Sequence, residues 1–298
     1  MAPLGAHDIV LCMASMGFRP LREFAEAAGK AGFSAISLSG GDYEAARAAG
    51  LSEADIRAML IDNGLRVAEI DGTVDWLNPS REVMGAGYDL SIPFFGHSER
   101  RLLEIAETVG ARSITAVDPF MWTVPLDRMV EAFARLCDRV AECGLLVHLE
   151  FLSWGPVPNL HTAWEIVRQA DRPNGGLALD VLHLMRSDSR ALLETIPGER
   201  IFATQFCDGP AERIGDCFAD VANRALPGEG AFDLVEIVRT LDAGGCNAPV
   251  GVEVMNPTLS ALAAEEVARR CHRSIASVLH AARSRTLPPK TWDRGAPH

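Results

Sequence analysis

The chain has 298 residues, 48% hydrophobic and 23% charged, which is ample for a large buried core in one or two domains. Its 40 acidic against 28 basic residues leave a net charge of −12, which argues against nucleic acid or an anionic membrane surface as the main partner. No apolar run approaches the roughly 20 residues that span a bilayer, no secretory signal is visible, and scattered cysteines without a CxxC pair read as core residues of a cytoplasmic protein. A first strand is expected in DIVLCMAS. LREFAEAAGKAGFSAISLS predicts a helix ending near Gly32 and a strand over Phe33–Leu38. SEADIRAMLIDNGLRVAEID starts a helix at Ser52, with Asp55 at the capping-box position, and passes Gly64 into a strand ending near Asp71. RRLLEIAETVGARSITAVD turns at Gly110, MVEAFARLCDRVAECGLLVHLE at Gly144, and LHTAWEIVRQADRPNGGLALD at Gly175 and Gly176. RIFATQFCD adds a strand near Ile201, and LVEIVRTLDAGGCNAPVGVEV turns at Gly244 and Gly245. Glycine past a helix end supplies a left-handed cap, and apolar strands alternating with helices indicate parallel βα units. The eight strands make a (βα)8 barrel over residues 1–285, with a tail over 286–298. An open doubly wound sheet is the competing architecture, but no GxGxxG loop follows the first strand.

The runs LVHLEF (Leu146–Phe151) and VGVEVM (Val250–Met255) carry carboxylates in apolar strands. A buried carboxylate without a partner costs several kcal/mol, so it neutralises, pairs or binds a metal. Catalytic groups of a barrel project from the C-terminal strand ends, where four polar side chains fall: Glu150, Asp180, Gln205 and Glu253. The residues two earlier, His148, Ala178, Ala203 and Gly251, face the same way. Three of these are small, which would leave room beneath an ion. Two Glu, one Asp and one Gln form an all-oxygen set suited to one hard divalent cation, Mn²⁺ or Mg²⁺ rather than zinc. A shared cation would keep several buried carboxylates ionised. Taken singly, each acid is as readily explained by an arginine partner or by backbone donors.

The runs LEFLSWGPVPNLHTAWEIV, LALDVLHLMRS, TQFCDGP and RALPGEGAFDL resemble the xylose isomerase-like TIM-barrel family of sugar phosphate isomerases and epimerases. The likeness extends from about Asp8 to about His280, and its second half is the specific part. It implies a mononuclear Mn²⁺- or Mg²⁺-type site whose ligands match Glu150, Asp180 and Glu253, and a substrate-binding histidine that matches His183. Many ketose epimerases of the family have histidine where this chain has Gln205. Glutamine there is similar to the dehydroshikimate dehydratases and related lyases. Arg186 and Arg224 are candidates for substrate hydroxyls or an anionic group, and Asp208 for orienting Gln205. His148 reads as a hydrogen-bonded interior histidine one layer below Glu150, and Trp154, with Trp122 and Phe120, as a pocket wall.

The leading expectation is metal-dependent isomerisation or epimerisation of a keto-sugar, cyclitol or similar hydroxy-ketone through an enediolate, with Glu150 and Glu253 exchanging protons on opposite faces. The alternative is a metal-dependent lyase or dehydratase of the dehydroshikimate dehydratase type, because the same enolate can expel a β-leaving group. A histidine-rich trinuclear zinc nuclease is disfavoured, since the third and fourth strands end in AEID and TAVD. A sugar-binding barrel without activity would lack a ligand, and all four positions carry oxygen donors. The expected partner is a small polyol or keto-sugar, with no nucleic acid and no membrane, and the pattern is compatible with a homo-oligomer.

Overall fold

The computed structural model describes residues 3–78 and 96–284, so the tail expected over 286–298 lies outside the described residues. Eight parallel strands pair in chain order and close into a barrel. They are β1 (Ile9–Leu11), β2 (Ala35–Leu38), β3 (Arg66–Thr73), β4 (Ser113–Ala116), β5 (Leu146–Glu150), β6 (Gly175–Asp180), β7 (Ile201–Phe206) and β8 (Val250–Val252). The pairing of Ile9 with Val250 and of Leu11 with Val252 closes the ring and eliminates an open sheet.

Helices on the outside bury one face each. In Leu126–Ala141, the residues Met129, Phe133, Leu136, Cys137 and Val140 recur at three- and four-residue spacing and are buried. Burying a side chain such as Leu136 or Phe133 contributes on the order of 1.5–3 kcal/mol. The helix expected at Ser52 spans Glu53–Asp62 and starts with a complete capping box: the Asp55 N–H donates to Ser52 Oγ at 3.1 Å, and the Ser52 N–H to Asp55 Oδ2 at 2.8 Å. Gly32, Gly64, Gly110 and Gly144 take positive φ, as their places after helices predict.

Gly175 and Gly176 were expected in the turn before β6 but open the strand itself. The left-handed residue at that helix end is Asp171 (φ 48°), and a Cβ on Gly176 would stand 2.6 Å from the Phe202 ring. Close approach of β6 to β7 is what requires glycine there. β1 is shorter than its apolar run, because Met13–Met16 turns into a 3₁₀ segment, and β2 starts at Ala35.

The main apolar core lies between strands and helices and includes Ile36, Leu38, Ile114, Val147, Leu149, Leu177 and Phe206. Leu4, Val10, Ala35 and Ala68 form a separate small cluster that fills the N-terminal end of the barrel. Above it the buried strand residues are polar: Ser37, Glu69, Asp71, Ser113, Thr115, His148, Glu150, Asp180 and Gln205. Among the described residues all seven cysteines are free thiols, and no helix is long and apolar enough to cross a membrane.

Candidate active site

Register partners in a parallel sheet point to the same side. Ala178 pairs with Glu150 and with Ala203, Asp180 with Gln205, and Gln205 with Gly251. The register climbs around the barrel, and this climb brings Glu150, Asp180, Gln205 and Glu253 to one mouth. Glu253 follows β8 directly and keeps the ladder going, its N–H donating to the Phe206 carbonyl at 3.0 Å. Gly251 does not open a void beneath the mouth as its small size suggested. A Cβ there would lie 2.3 Å from the Thr204 carbonyl and 3.2 Å from Cys12 Sγ, so glycine serves close strand packing.

Arg224 enters the middle of this group with its side chain 1% exposed. Its Nη1 donates to Asp180 Oδ2 and to Glu253 Oε2, both at 2.8 Å, and to the Glu253 carbonyl at 3.3 Å. Asp180 Oδ1 accepts the N–H groups of Leu182 at 2.7 Å and His183 at 3.3 Å, which caps the short helix Val181–Arg186. Burial alone would raise the Asp180 carboxyl, but Arg224, His183 and the backbone donors outweigh it and the net shift is downward. Glu253 is pushed up to about 8, first by burial and then by the charges of Asp180 and Asp71, against the pull of Arg224. One guanidinium thus serves two carboxylates, with Asp180 the ionised member and Glu253 the one that retains a proton at neutral pH. Glu150 is also raised, by burial and by the charges of Asp71, Glu253 and Asp180. His183 is lowered to about 4, mainly by burial, and is a neutral imidazole at neutral pH.

Glu150, Asp180 and His183 bring potential ligand atoms within 4.8 Å of one another. Beside them Gln205 Oε1 is buried and has no hydrogen-bond partner, and His183 Nδ1 is in the same position. Acids that raise one another and an amide oxygen without a donor fit a divalent cation, whose charge would reverse the upward shifts.

One layer deeper, the His148 ring is buried with Nε2 2.7 Å from Thr115 Oγ1 and 3.7 Å from Glu69 Oε2. Burial lowers His148 to about 3, and burial followed by the Asp71 charge raises Glu69 to about 8, so both are neutral at pH 7. Asp71, at the C-terminal part of β3, is raised to about 6, chiefly by burial, and its Oδ1 is buried without a partner. Sequence reasoning passed over Glu69 and Asp71. The run VAEID carries the same signal as LVHLEF, acids within an apolar strand.

Three expected roles change. Arg224, a candidate for substrate hydroxyls or an anionic group, is buried and holds Asp180 and Glu253 instead. Asp208 does not reach Gln205: its Oδ1 accepts the N–H groups of Gly209 (2.8 Å) and Phe232 (3.0 Å), and its Oδ2 that of Gly228 (3.0 Å). Its backbone also pairs with Ala225, so Asp208 fixes the segment that carries Arg224. Arg186 turns away from the acids and spends its guanidinium on Asp220 (2.7 Å) and on the carbonyls of Pro210 and Ala211 (2.9 and 3.0 Å). Trp154 stands beside the mouth, its ring edge-on to His183 with centroids 5.2 Å apart, held by a hydrogen bond from Nε1 to the Pro119 carbonyl at 3.1 Å. Phe120 is fully buried and Trp122 donates to Asp118 at 3.1 Å, so these two back the wall.

The sequence profile of the xylose isomerase-like TIM barrel matches residues 25–276. A 3-dehydroshikimate dehydratase of Pseudomonas aeruginosa is 28% identical over 245 residues, 79% of this chain but 36% of its own length, so the chain spans about a third of that relative. An inosose isomerase of Bacillus subtilis is 28% identical over 198 residues, which cover 62% of this chain and 70% of the relative. Among solved structures, the IOLI protein with a bound zinc atom has a TM-score of 0.78 over 92% of this chain and 98% of its own, at 21% identity, a likeness of fold.

Proposed function

We propose, from the premise that this chain belongs to the xylose isomerase-like TIM-barrel family, that it is a divalent-metal-dependent enzyme acting on a polyhydroxylated ketone. Isomerisation or epimerisation of a keto-sugar, cyclitol or similar hydroxy-ketone is the leading outcome. The observation that carries this reading is the buried mouth in which Glu150, Asp180 and His183 converge within 4.8 Å beside the unpartnered Gln205 oxygen. Glu150, Asp180, Gln205 and Glu253 would hold one cation, Mn²⁺ or Mg²⁺, because their donors are all oxygens. Such a cation supplies positive charge beside the ketone and hydroxyl oxygens, which lowers the cost of the negative charge that develops when the adjacent carbon loses its proton.

The protein groups do the rest. Glu150 and Glu253 come from different strands and would take and return the proton on opposite faces of the substrate. His183, neutral at pH 7, holds a substrate oxygen by hydrogen bond. Arg224 keeps Asp180 ionised and limits the repulsion among the acids. Trp154 covers the pocket on the His183 side and excludes water there.

Dehydration is the second reading. Gln205 and the 79% of this chain that aligns with a 3-dehydroshikimate dehydratase favour it. The test is to incubate the Mn²⁺-loaded protein with scyllo-inosose, a ketose and 3-dehydroshikimate in D₂O, and to follow carbon-bound deuterium and water loss by NMR. Deuterium next to the carbonyl without loss of water supports isomerisation, and loss of water supports the dehydratase. Neither change in any of these ketones rejects both.

A further inference from the structure

The loop after β7 carries a charged side chain that the reaction above does not use. Arg186 and Asp220 lock this loop. Arg186 Nε and Nη2 donate to the Asp220 carboxylate at 2.7 and 3.2 Å, Nη1 to the Ala211 carbonyl at 3.0 Å, and Nη2 to the Pro210 carbonyl at 2.9 Å. Asp220 also accepts the Ile214 N–H at 3.0 Å, so both its oxygens are engaged without Arg213. Arg213 lies in the locked segment with Nε 3.9 Å from Asp220 Oδ2 and Nη2 3.4 Å from Ser153 Oγ. These are weak contacts, and with 39% of the side chain exposed most of its five N–H donors remain free to bind.

Its position is what matters. Ser153 precedes Trp154, whose ring packs on His183, so Arg213 bridges the loops after β5 and β7 at the edge of the pocket. Two guanidiniums face one carboxylate here, Arg186 at 2.7 Å and Arg213 at 3.9 Å. The neighbouring acid Asp216 spends its carboxylate on the Ala219 N–H at 2.8 Å, capping the next helix.

We propose that Arg213 is a specificity-determining residue that binds an anionic substituent, carboxylate or phosphate, on the ketone processed at the mouth. The inference rests on the metal-dependent ketone reading and narrows its substrate class to acidic hydroxy-ketones over neutral cyclitols and sugars. A guanidinium offers two parallel N–H donors to either anion. Because Arg186 and Asp220 have already ordered the backbone beneath Arg213, little of the binding energy goes into ordering the loop.

The experiment is calorimetric binding to Mn²⁺-loaded wild type, Arg213→Gln and Arg213→Lys, with four probes: inorganic phosphate, 3-dehydroshikimate, fructose 6-phosphate and scyllo-inosose. Deuterium uptake by the three ketones is followed alongside. Wild type is expected to bind one of the two anionic ketones more tightly than inosose, and which one it is separates carboxylate from phosphate. Arg213→Gln should weaken that ligand about 10–100-fold, the size of a hydrogen bond to a charged group, while inosose is unchanged and lysine restores part of the loss. Unchanged affinity of Arg213→Gln for every anionic probe, an equal loss for inosose, or no anion binding by wild type overturns the assignment. Deuterium uptake that survives such a result leaves the reaction standing without the anion clamp. Loss of phosphate binding in Arg213→Gln with no ketone exchanged by wild type does the opposite, keeping the clamp and rejecting the reaction.

Discussion

Two groups of buried acids stand one above the other in the same barrel and behave differently. In the middle layer Glu69 is raised to about 8 and His148 lowered to about 3, both chiefly by burial, and the charge of Arg112 lowers Glu69 only in part, with no Arg112–Glu69 ion pair among the described residues. At the mouth Asp180 is as deeply buried, yet its carboxyl is lowered, because Arg224 lies 2.8 Å away and two backbone N–H groups donate to it. Contact with the guanidinium alone does not decide it: Glu253 shares Arg224 at 2.8 Å and is still raised to about 8, whereas Asp180 also accepts two backbone N–H groups. The middle layer therefore remains a neutral hydrogen-bonded support, and Asp180 is where the mouth keeps its charge.

The sharpest way to break this contrast is through turnover. Glu150→Gln and Glu253→Gln retain an oxygen for a cation but lose the proton carrier, so kcat should fall about 10²–10⁴-fold while thermal stability stays near wild type. Glu69→Gln should leave kcat within the same order of magnitude. An equal loss from Glu69→Gln, measured by steady-state kinetics, would erase the distinction between the layers.

Removing the cation tests it next. Arg224→Leu leaves Asp180 and Glu253 facing each other without their shared partner. The metal-free variant should be destabilised by about 3–5 kcal/mol, the usual cost of stranding one side of a buried ion pair. Excess Mn²⁺ should return part of this stability, because a bound cation replaces the lost charge. Urea unfolding with and without Mn²⁺ measures both effects, and an unaffected midpoint would mean that Arg224 does not hold the pair.

A smaller effect reports on the middle layer. The folded protein retains the Glu69 proton up to about pH 8, whereas an ordinary carboxyl releases it near 4.5. The stability tied to this proton is present in full below pH 4.5 and is lost as pH rises toward 8. Metal-free Glu69→Gln should therefore lose less stability than wild type between these pH values in parallel thermal melts. Identical slopes would show that Glu69 ionises normally.

Much of this was legible in the sequence because it is written locally. Each strand sits in an apolar run beside a helix with one apolar face, and Glu150, Asp180, Gln205 and Glu253 stand at the ends of four such runs. What was not legible depends on contacts far apart in the chain. Arg224 lies 44 residues after Asp180 and 29 before Glu253, and only the closed barrel puts it between them. Asp208 and Arg186 were assigned to the pocket from nearness in sequence, whereas loop backbones at 209–212, 228 and 232 claim their hydrogen bonds. Gly176 was given a helix-capping role because sequence does not show that Phe202 would occupy the space of its Cβ.

The account stands on the claim that the acids at the mouth hold a divalent ion. An anomalous difference map from crystals soaked in Mn²⁺ tests it most directly. One strong peak per chain, within bonding distance of Glu150, Asp180, Gln205 and Glu253, is the predicted result. A well-ordered mouth without a peak in excess Mn²⁺, with Arg224 still bound to Asp180 and Glu253, would contradict it.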